Sequence, residues 1–562
     1  MGNFPAVTVN SRAPPVKTGA MADNYDDYTR DQLIRLLRER DRKPRFGLVW
    51  ERDEIDHERA INDDFVALDF DAEHSRGDAP YRNLIIEGDN FDALRFLRMT
   101  HAGQVRCIYI DPPYNTGNRD FIYNDRFVDK EDSYRHSKWL EFMYRRLELA
   151  RELLAEDGVI FVSIDDNEVF NLGLLMNCVF GEVNHLATCI WKRRSSPDSR
   201  NLNGVSSDHE YILCYSASEK FRFKGQTKDL TKYQNPDNDP RGPWMSDNLT
   251  GLAGPLERPN LHYDVIDPST NRKYPPHPTR GWGYGKERME TLIKENKILW
   301  PKTPTGRPRL KRFMSDMKSE TTGYSTLLNA PANIDGTKEL NEILGEKAFP
   351  FPKPSSFIGE LLSQCTDKNS LILDFFAGSG TTAHAVMKLN AEDGGDRRYI
   401  LVSSTEATAD APDKNLCRDV CAERVRRVAA GYVNRKGERV PGLGGGFAYL
   451  RARRIDASRL LGEIRHDEVW TALQLIHGQA LQPYDDAALI QLGATSDGAL
   501  LYVPRLTEAS VAAAREALAT AGTALIYSWQ AALLEQHIEE PGASFEPIPH
   551  GLVRRFGLGR QP

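Results

Sequence analysis

Cys107-Ile108-Tyr109-Ile110-Asp111-Pro112-Pro113-Tyr114-Asn115-Thr116-Gly117 is a short apolar run that ends on an acid, two prolines and an aromatic. Val105 to Ile110 is short, β-branched and followed at once by residues that cannot continue a ladder, so it reads as a buried strand. The chemistry-bearing residues therefore fall on the turn just past a strand's carboxyl end. Each proline fixes its own φ and keeps the residue before it out of the α region, which leaves Asp111 and the Pro112 carbonyl little freedom. Held this way, they form a preorganised pair of hydrogen-bond acceptors.

Such a pair suits an exocyclic amino group. The lone pair of an aromatic amine is conjugated into its ring, and two acceptors on its N–H bonds would draw it toward tetrahedral geometry and free it for attack. Tyr114 offers a ring face on which a base could stack. The alternative is a rigid turn whose acid caps a helix, and Asp-Pro-Pro alone does not separate the two.

On either side the chain repeats strand and helix. Asn83 to Glu87 reads as a strand, and the Asp89 that follows it is either a ligand-binding acid or an ordinary N-cap. Ser137 to Glu156 has helical apolar spacing; Gly158 breaks it, and Val159 to Ile164 is a second buried strand ending on Asp165 and Asp166. Helix, glycine and apolar strand in that order make a βαβ unit and hence a parallel sheet, whose ligands bind at the strands' carboxyl ends.

A second signal is Leu371-Ile372-Leu373-Asp374-Phe375-Phe376-Ala377-Gly378-Ser379-Gly380-Thr381-Thr382: an apolar strand, an acid, a glycine turn and a helix starting near Thr382. The glycines let the backbone approach a ligand closely. A phosphate loop needs Gly-Lys-Ser/Thr, and here Thr381 follows Gly380; the dinucleotide spacing also fails, with His384 in the place of its third glycine.

The two stretches together resemble the amino-group DNA methyltransferases, in which Asp-Pro-Pro-Tyr typifies adenine-N6 enzymes and Asp-Phe-Phe-Ala-Gly-Ser-Gly-Thr-Thr looks like the S-adenosylmethionine motif. Catalytic motif before cofactor motif, with a long segment between, is the permuted order of the β class. From about residue 25 to 450 the chain resembles the modification subunit of type III restriction systems. The resemblance implies a Rossmann-like α/β methyltransferase fold with an inserted target-recognition domain and a small C-terminal α/β domain. It also implies catalysis by Asp111, Pro112, Pro113 and Tyr114. S-adenosylmethionine would be held by Asp374, Phe376, Ala377, Gly378, Ser379, Gly380, Thr381 and Thr382, with Asp89 at its adenine and Glu406 at its ribose. The segment Phe351, Lys353, Pro354 and Ser355 would close over its methionine end. The implied substrate is a flipped-out adenine in double-stranded DNA, methylated at N6, with cytosine N4 as the rival. A homo-oligomer and a partner restriction ATPase-nuclease are implied as partners. Methylation of a protein glutamine is a further alternative, although that family usually has Asn at the position of Asp111.

Composition agrees with these expectations. The formal charge is −7, yet residues 185–340 carry 25 Lys+Arg against 18 Asp+Glu, a basic middle in an acidic chain. That stretch, rich in Asn, Pro, Gly and Trp, suits a region that grips phosphates and reads bases, with Lys192, Arg193 and Arg194 as DNA-binding candidates, although an insertion of unrelated purpose would look similar. Seven scattered cysteines read as reduced core thiols and not as a metal site, so no metal is expected. There is no apolar run of transmembrane length and no signal-like start, so cytoplasmic residence is expected; the resemblance implies a DNA-associated prokaryotic protein. The expected divisions are a disordered 1–23, a catalytic half at 24–184, target recognition at 185–340, a cofactor half at 341–440 and a C-terminal domain at 447–562. The last would serve assembly or partner docking.

Overall fold

The computed structural model describes residues 50, 64–117, 134–198, 204–303, 305–345, 348–407 and 411–557, with two short strands at Ile122–Tyr123 and Arg126–Phe127. The expected disordered start lies outside these residues, as does the basic amphipathic helix to about Arg42 that the capping box of Thr29 and Gln32 before Leu33, Ile34, Leu36 and Leu37 predicts. The described residues divide into two compact units, one made of those up to Arg222 with those from Ser325 onward and one of Phe223–Tyr324.

The larger unit is built on strands β1 (Phe65–Arg76), β2 (Leu84–Glu87), β3 (Val105–Ile110), β4 (Leu154–Ile164), β5 (His185–Lys192), β6 (His209–Ser216), β7 (Leu327–Leu328), β8 (Leu371–Asp374), β9 (Arg398–Ser403) and β10 (Phe447–Ile455). They form one ten-stranded sheet in the order β1-β10-β2-β9-β8-β3-β4-β6-β5-β7. Every pairing from β10 to β4 is parallel. The carboxyl ends of β2, β9, β8, β3 and β4 therefore share one edge of the sheet. Cys107, Ile108, Tyr109 and Ile110 of β3 are all buried, as expected of a parallel strand covered on both faces.

The covering helices are α1 (Asn90–His101), α2 (Arg135–Leu153), α3 (Val169–Phe180), α4 (Asn333–Leu344), α5 (Ser355–Cys365), α6 (Thr381–Asp393) and α7 (Glu423–Ala430). On α2 the apolar positions Trp139, Leu140, Met143 and Leu147 recur every three or four residues and enter the core that Leu94 and Leu97 of α1 also enter.

Two boundaries differ from expectation. β5 and β6 pair antiparallel with each other, and β6 pairs with β4, so residues 185–216 finish the main sheet instead of opening the insertion. Past the glycine run at 442–446, β10 enters the same sheet parallel to β2, so the tail does not begin at 447. The tail's own four strands are Gln491–Thr495, Gly498–Val503, Ala524–Ser528 and Ala543–Pro547. Strand alternation divides its side chains: Leu501 and Val503 pack in a local core, while Leu500 and Tyr502 join the main one.

Within the unit Phe223–Tyr324, an antiparallel sheet joins Trp244–Asp247, Arg309–Phe313 and Ile298–Leu299. Its core includes Leu249, Val265, Trp282, Met289 and Leu310. It carries 18 Lys+Arg against 12 Asp+Glu, which localises most of the basic excess of residues 185–340.

Candidate active site

β3 and β8 are neighbours in register, Ile372 beside Cys107 and Leu373 beside Ile108. This brings the two sequence motifs, more than two hundred residues apart, to one point of the sheet edge. The turn after β3 is pinned from below, where the Trp139 indole Nε1 donates to the Pro113 carbonyl at 2.7 Å. Asn115, at φ 57°, donates to Glu168 Oε1 at 2.5 Å. Asn tolerates this left-handed conformation better than most residues, which helps the chain reverse directly after the prolines.

Asp111 is engaged on both oxygens. The Tyr114 hydroxyl lies 2.7 Å from its Oδ1, and Lys353 Nζ donates to its Oδ2 at 2.6 Å. Glu210, from β6, completes the group, its Oε2 lying 3.0 Å from the Tyr114 hydroxyl and 3.3 Å from Lys353 Nζ. Lys353 and Glu210 are nearly buried, at 7% and 3% side-chain exposure, whereas Asp111 is 28% exposed. Burial pulls the Lys353 ammonium down, but the carboxylates of Asp111 and Glu210 outweigh it and hold its pKa above the ordinary lysine value. Burial, followed by the charges of Asp111 and Glu210, pushes the Tyr114 phenol well up, so it stays a donor.

The glycine loop is built differently. Asp374 folds back on it: Oδ1 accepts the Phe376 N–H at 3.0 Å and Oδ2 the Thr382 hydroxyl at 2.5 Å. Burial pushes the Asp374 carboxyl up to about 7 against these two bonds, and the charge of Asp111 adds to the rise. Gly378 sits at φ 50°, where a Cβ would meet the Phe349 ring at 3.1 Å. Ser379 and Thr381 are held from behind by the buried Arg424 of α7, whose Nη1 donates to Thr381 Oγ1 at 2.7 Å and whose Nη2 donates to Glu339 of α4 at 3.0 Å. Ala377 donates its N–H to the Val402 carbonyl, and Phe376 packs against Phe142, ring centres 6.0 Å apart.

The other expected residues fall as follows. Asp89 caps α1, accepting from the N–H of Phe91 at 2.8 Å, and meets Arg146 at 3.2 Å. It also lines a cavity of about 490 Å³ with Glu87, Ser404, Thr405 and Arg451 at the ends of β2 and β9. Glu406 pairs with Lys414 at 2.7 Å. In the 351–355 segment the residues diverge: Phe351 is 77% exposed, Pro354 caps α5, and the Ser355 N–H is bonded to Glu339 at 3.0 Å. Lys353, expected at the methionine end of a cofactor, instead touches Asp111 and Tyr114. Arg193, expected on DNA, reaches Glu210 at 3.3 Å, and Arg194 pairs with Asp198 at 2.7 Å; Lys192 is exposed. Glu210, Glu339 and Arg424 were not anticipated. The one signal for Glu210 is an acid inside an otherwise apolar strand, where burial demands a cationic partner. Among the described residues no cluster of His, Cys, Asp or Glu could hold a metal ion, and no helix is long and apolar enough to cross a membrane.

The StyLTI Mod subunit of a type III restriction-modification enzyme from Salmonella typhimurium is 36% identical over 380 residues, covering 62% of this chain and 57% of that protein. The EcoP15I Mod subunit of Escherichia coli is 31% identical, covering 62% and 63%. The type II methyltransferase M.KpnI of Klebsiella pneumoniae is 31% identical, covering 56% and 79%. The chain thus spans about three fifths of the length of the two Mod subunits. A family model described as DNA methylase matches residues 105–410, from the first residue of β3 past β9 and so across both motifs, and the chain belongs to that family.

Proposed function

We propose that this protein is a site-specific DNA methyltransferase that transfers a methyl group from S-adenosylmethionine to N6 of an adenine flipped out of duplex DNA. The observation that carries the reading is the juxtaposition of the Asp111 turn with the Asp374 glycine loop at the ends of adjacent parallel strands. The loop suits a cationic donor better than a polyphosphate. Asp374 folds back on it, Asp111 lies near, and no lysine follows Gly380. When bound, S-adenosylmethionine supplies an electrophilic methyl on a sulfonium.

The chain's own residues bind and orient. Asp111 and the Pro112 carbonyl accept the two N–H bonds of the target amino group, and the Tyr114 ring stacks on the extruded base. Phe376 to Thr382 hold the donor, with Asp89 and the cavity beside it at the adenosine end. Positioning supplies much of the rate, because each reactant is fixed before bonds change. Adenine is favoured over cytosine by Asp at position 111 and by the resemblance to type III modification subunits. The basic unit Phe223–Tyr324 is the proposed reader of sequence.

A second reading, favoured by the Mod-subunit relatives, makes the chain the modification and recognition subunit of a restriction complex, itself a homo-oligomer. Incubating the purified chain alone with labelled S-adenosylmethionine and mixed-sequence duplex tests the first reading. Label incorporated into DNA supports it, and incorporation only after a restriction partner is added supports the second.

A further inference from the structure

The target amino group and Lys353 seek the same seat. In the structure the Lys353 ammonium occupies Asp111 Oδ2 at 2.6 Å, where the proposed reaction requires an N–H of the base. Lys353 cannot simply swing into water. It is 7% exposed, with its Nζ 5.3 Å from the Tyr114 ring centre and 5.9 Å from that of Trp191. Trp191 is buried and stacks on Phe357 of α5, centres 4.4 Å apart, which fixes the wall behind the lysine. A second seat is within reach. Glu210 Oε2 is 3.3 Å from Nζ, and the Tyr114 hydroxyl, 3.0 Å from both Nζ and that Oε2, bridges the two. Arg193 holds the other oxygen of Glu210 at 3.3 Å, so the second carboxylate is oriented before Lys353 moves.

We propose that Lys353 and Glu210 are a positioning pair: Lys353 holds the Asp111 carboxylate in its catalytic orientation in the resting site and withdraws onto Glu210 when the base's amino group takes its place. This rests on the proposed methyl transfer to DNA. An ammonium carries three donors and can release one bond while keeping others, so the exchange needs no unpaired charge. Without Glu210's charge the ammonium has only Asp111 to neutralise it, and the base must compete for that seat. Without Lys353, Asp111 and Glu210 face each other through one hydroxyl, and like charges at that range disfavour two ionised carboxylates.

The test measures single-turnover methyl transfer at saturating S-adenosylmethionine, and calorimetric S-adenosylmethionine affinity, for the unaltered chain, Glu210→Gln and Lys353→Ala. Transfer is expected to fall at least about tenfold in both variants, the scale of one lost charged hydrogen bond, with cofactor affinity held within about twofold. Propylamine, which restores an ammonium in the space left by Lys353→Ala, should recover part of that variant's rate, whereas propanol should not. A purely structural role would not respond to the amine. If the unaltered chain transfers methyl and Glu210→Gln matches it within about twofold, the pair is refuted while the function stands. Loss of cofactor affinity in Lys353→Ala with an unchanged saturated rate would assign the lysine to the cofactor and refute the pair. No transfer by the unaltered chain, with or without a restriction partner, refutes the function itself, and the pair falls with it.

Discussion

Asp374→Asn should stabilise the protein above neutral pH and leave it unchanged in acid. The carboxyl of Asp374 is buried and its pKa is raised from 3.8 to about 7. A group whose folded value lies above its unfolded one contributes stability that is fully present below about pH 4 and is lost as pH rises to about 7. At about 1.4 kcal/mol per pH unit, that window corresponds to about 4 kcal/mol as an upper bound. Asparagine keeps a carbonyl for the Phe376 N–H and an amide to face the Thr382 hydroxyl, so the loop's two bonds have counterparts, and only the titrating charge is removed. The assay is thermal melting of both proteins between pH 4 and pH 8.5. With an unfolding entropy of about 2.1 cal/mol/K per residue, 1 kcal/mol corresponds to only about 1 °C in a chain of this size, so the variant should gain up to about 3–4 °C relative to the unaltered chain above pH 7, and little near pH 4. A difference independent of pH would refute the reasoning. The same charge bears on function, because an ionised Asp374 favours a cationic donor; the variant should bind S-adenosylmethionine more weakly at pH 8 than the unaltered chain.

Three further outcomes are expected. Asp111→Ala should lower methyl transfer by about 100-fold or more, the scale seen when one preorganised polar group is removed from a reaction centre, while calorimetry shows cofactor affinity largely kept. Gly378→Val places a β-branched residue at φ 50° against the Phe349 ring, at a strain of about 1–2 kcal/mol before any ligand enters, and should weaken S-adenosylmethionine binding in the same calorimetric assay. Exchanging residues 223–324 for the corresponding unit of a relative should transfer sequence preference, read by sequencing modified bases, with the chemistry unaltered; a chimera that keeps its original site would place recognition elsewhere.

The parts of the molecule that were legible in the sequence are those whose meaning is local. Val105–Ile110 and Leu371–Asp374 are short apolar runs closed by residues that cannot extend a strand, so both strands and both turns follow from neighbours. The sequence makes the insertion look wider than it is because β5 exposes His185, Ile190 and Lys192, and Trp191-Lys192-Arg193-Arg194 resembles a basic loop; the place of β5 is fixed by pairing with β6. β10 is hidden behind five residues rich in glycine, and its second half carries Arg451, Arg453 and Arg454, which pair with Asp71, Glu468 and Asp92, partners that no linear pattern reveals. The charged cluster around Asp111 could not be read at all. Glu210 and Lys353 stand 96 and 239 residues from Tyr114, and nothing in a linear pattern specifies which buried acid meets which buried base.

The most direct test of the central claim is the identity of the product. DNA incubated with the purified chain and S-adenosylmethionine is digested to nucleosides, and the methylated nucleoside is separated and weighed by mass spectrometry. The account predicts N6-methyladenine, formed about 100-fold or more slowly when Asp111→Ala replaces the unaltered chain; N4-methylcytosine as the sole product would contradict the assignment of the base, and no methylated nucleoside at any cofactor concentration, with or without a restriction partner, would contradict the assignment of the site.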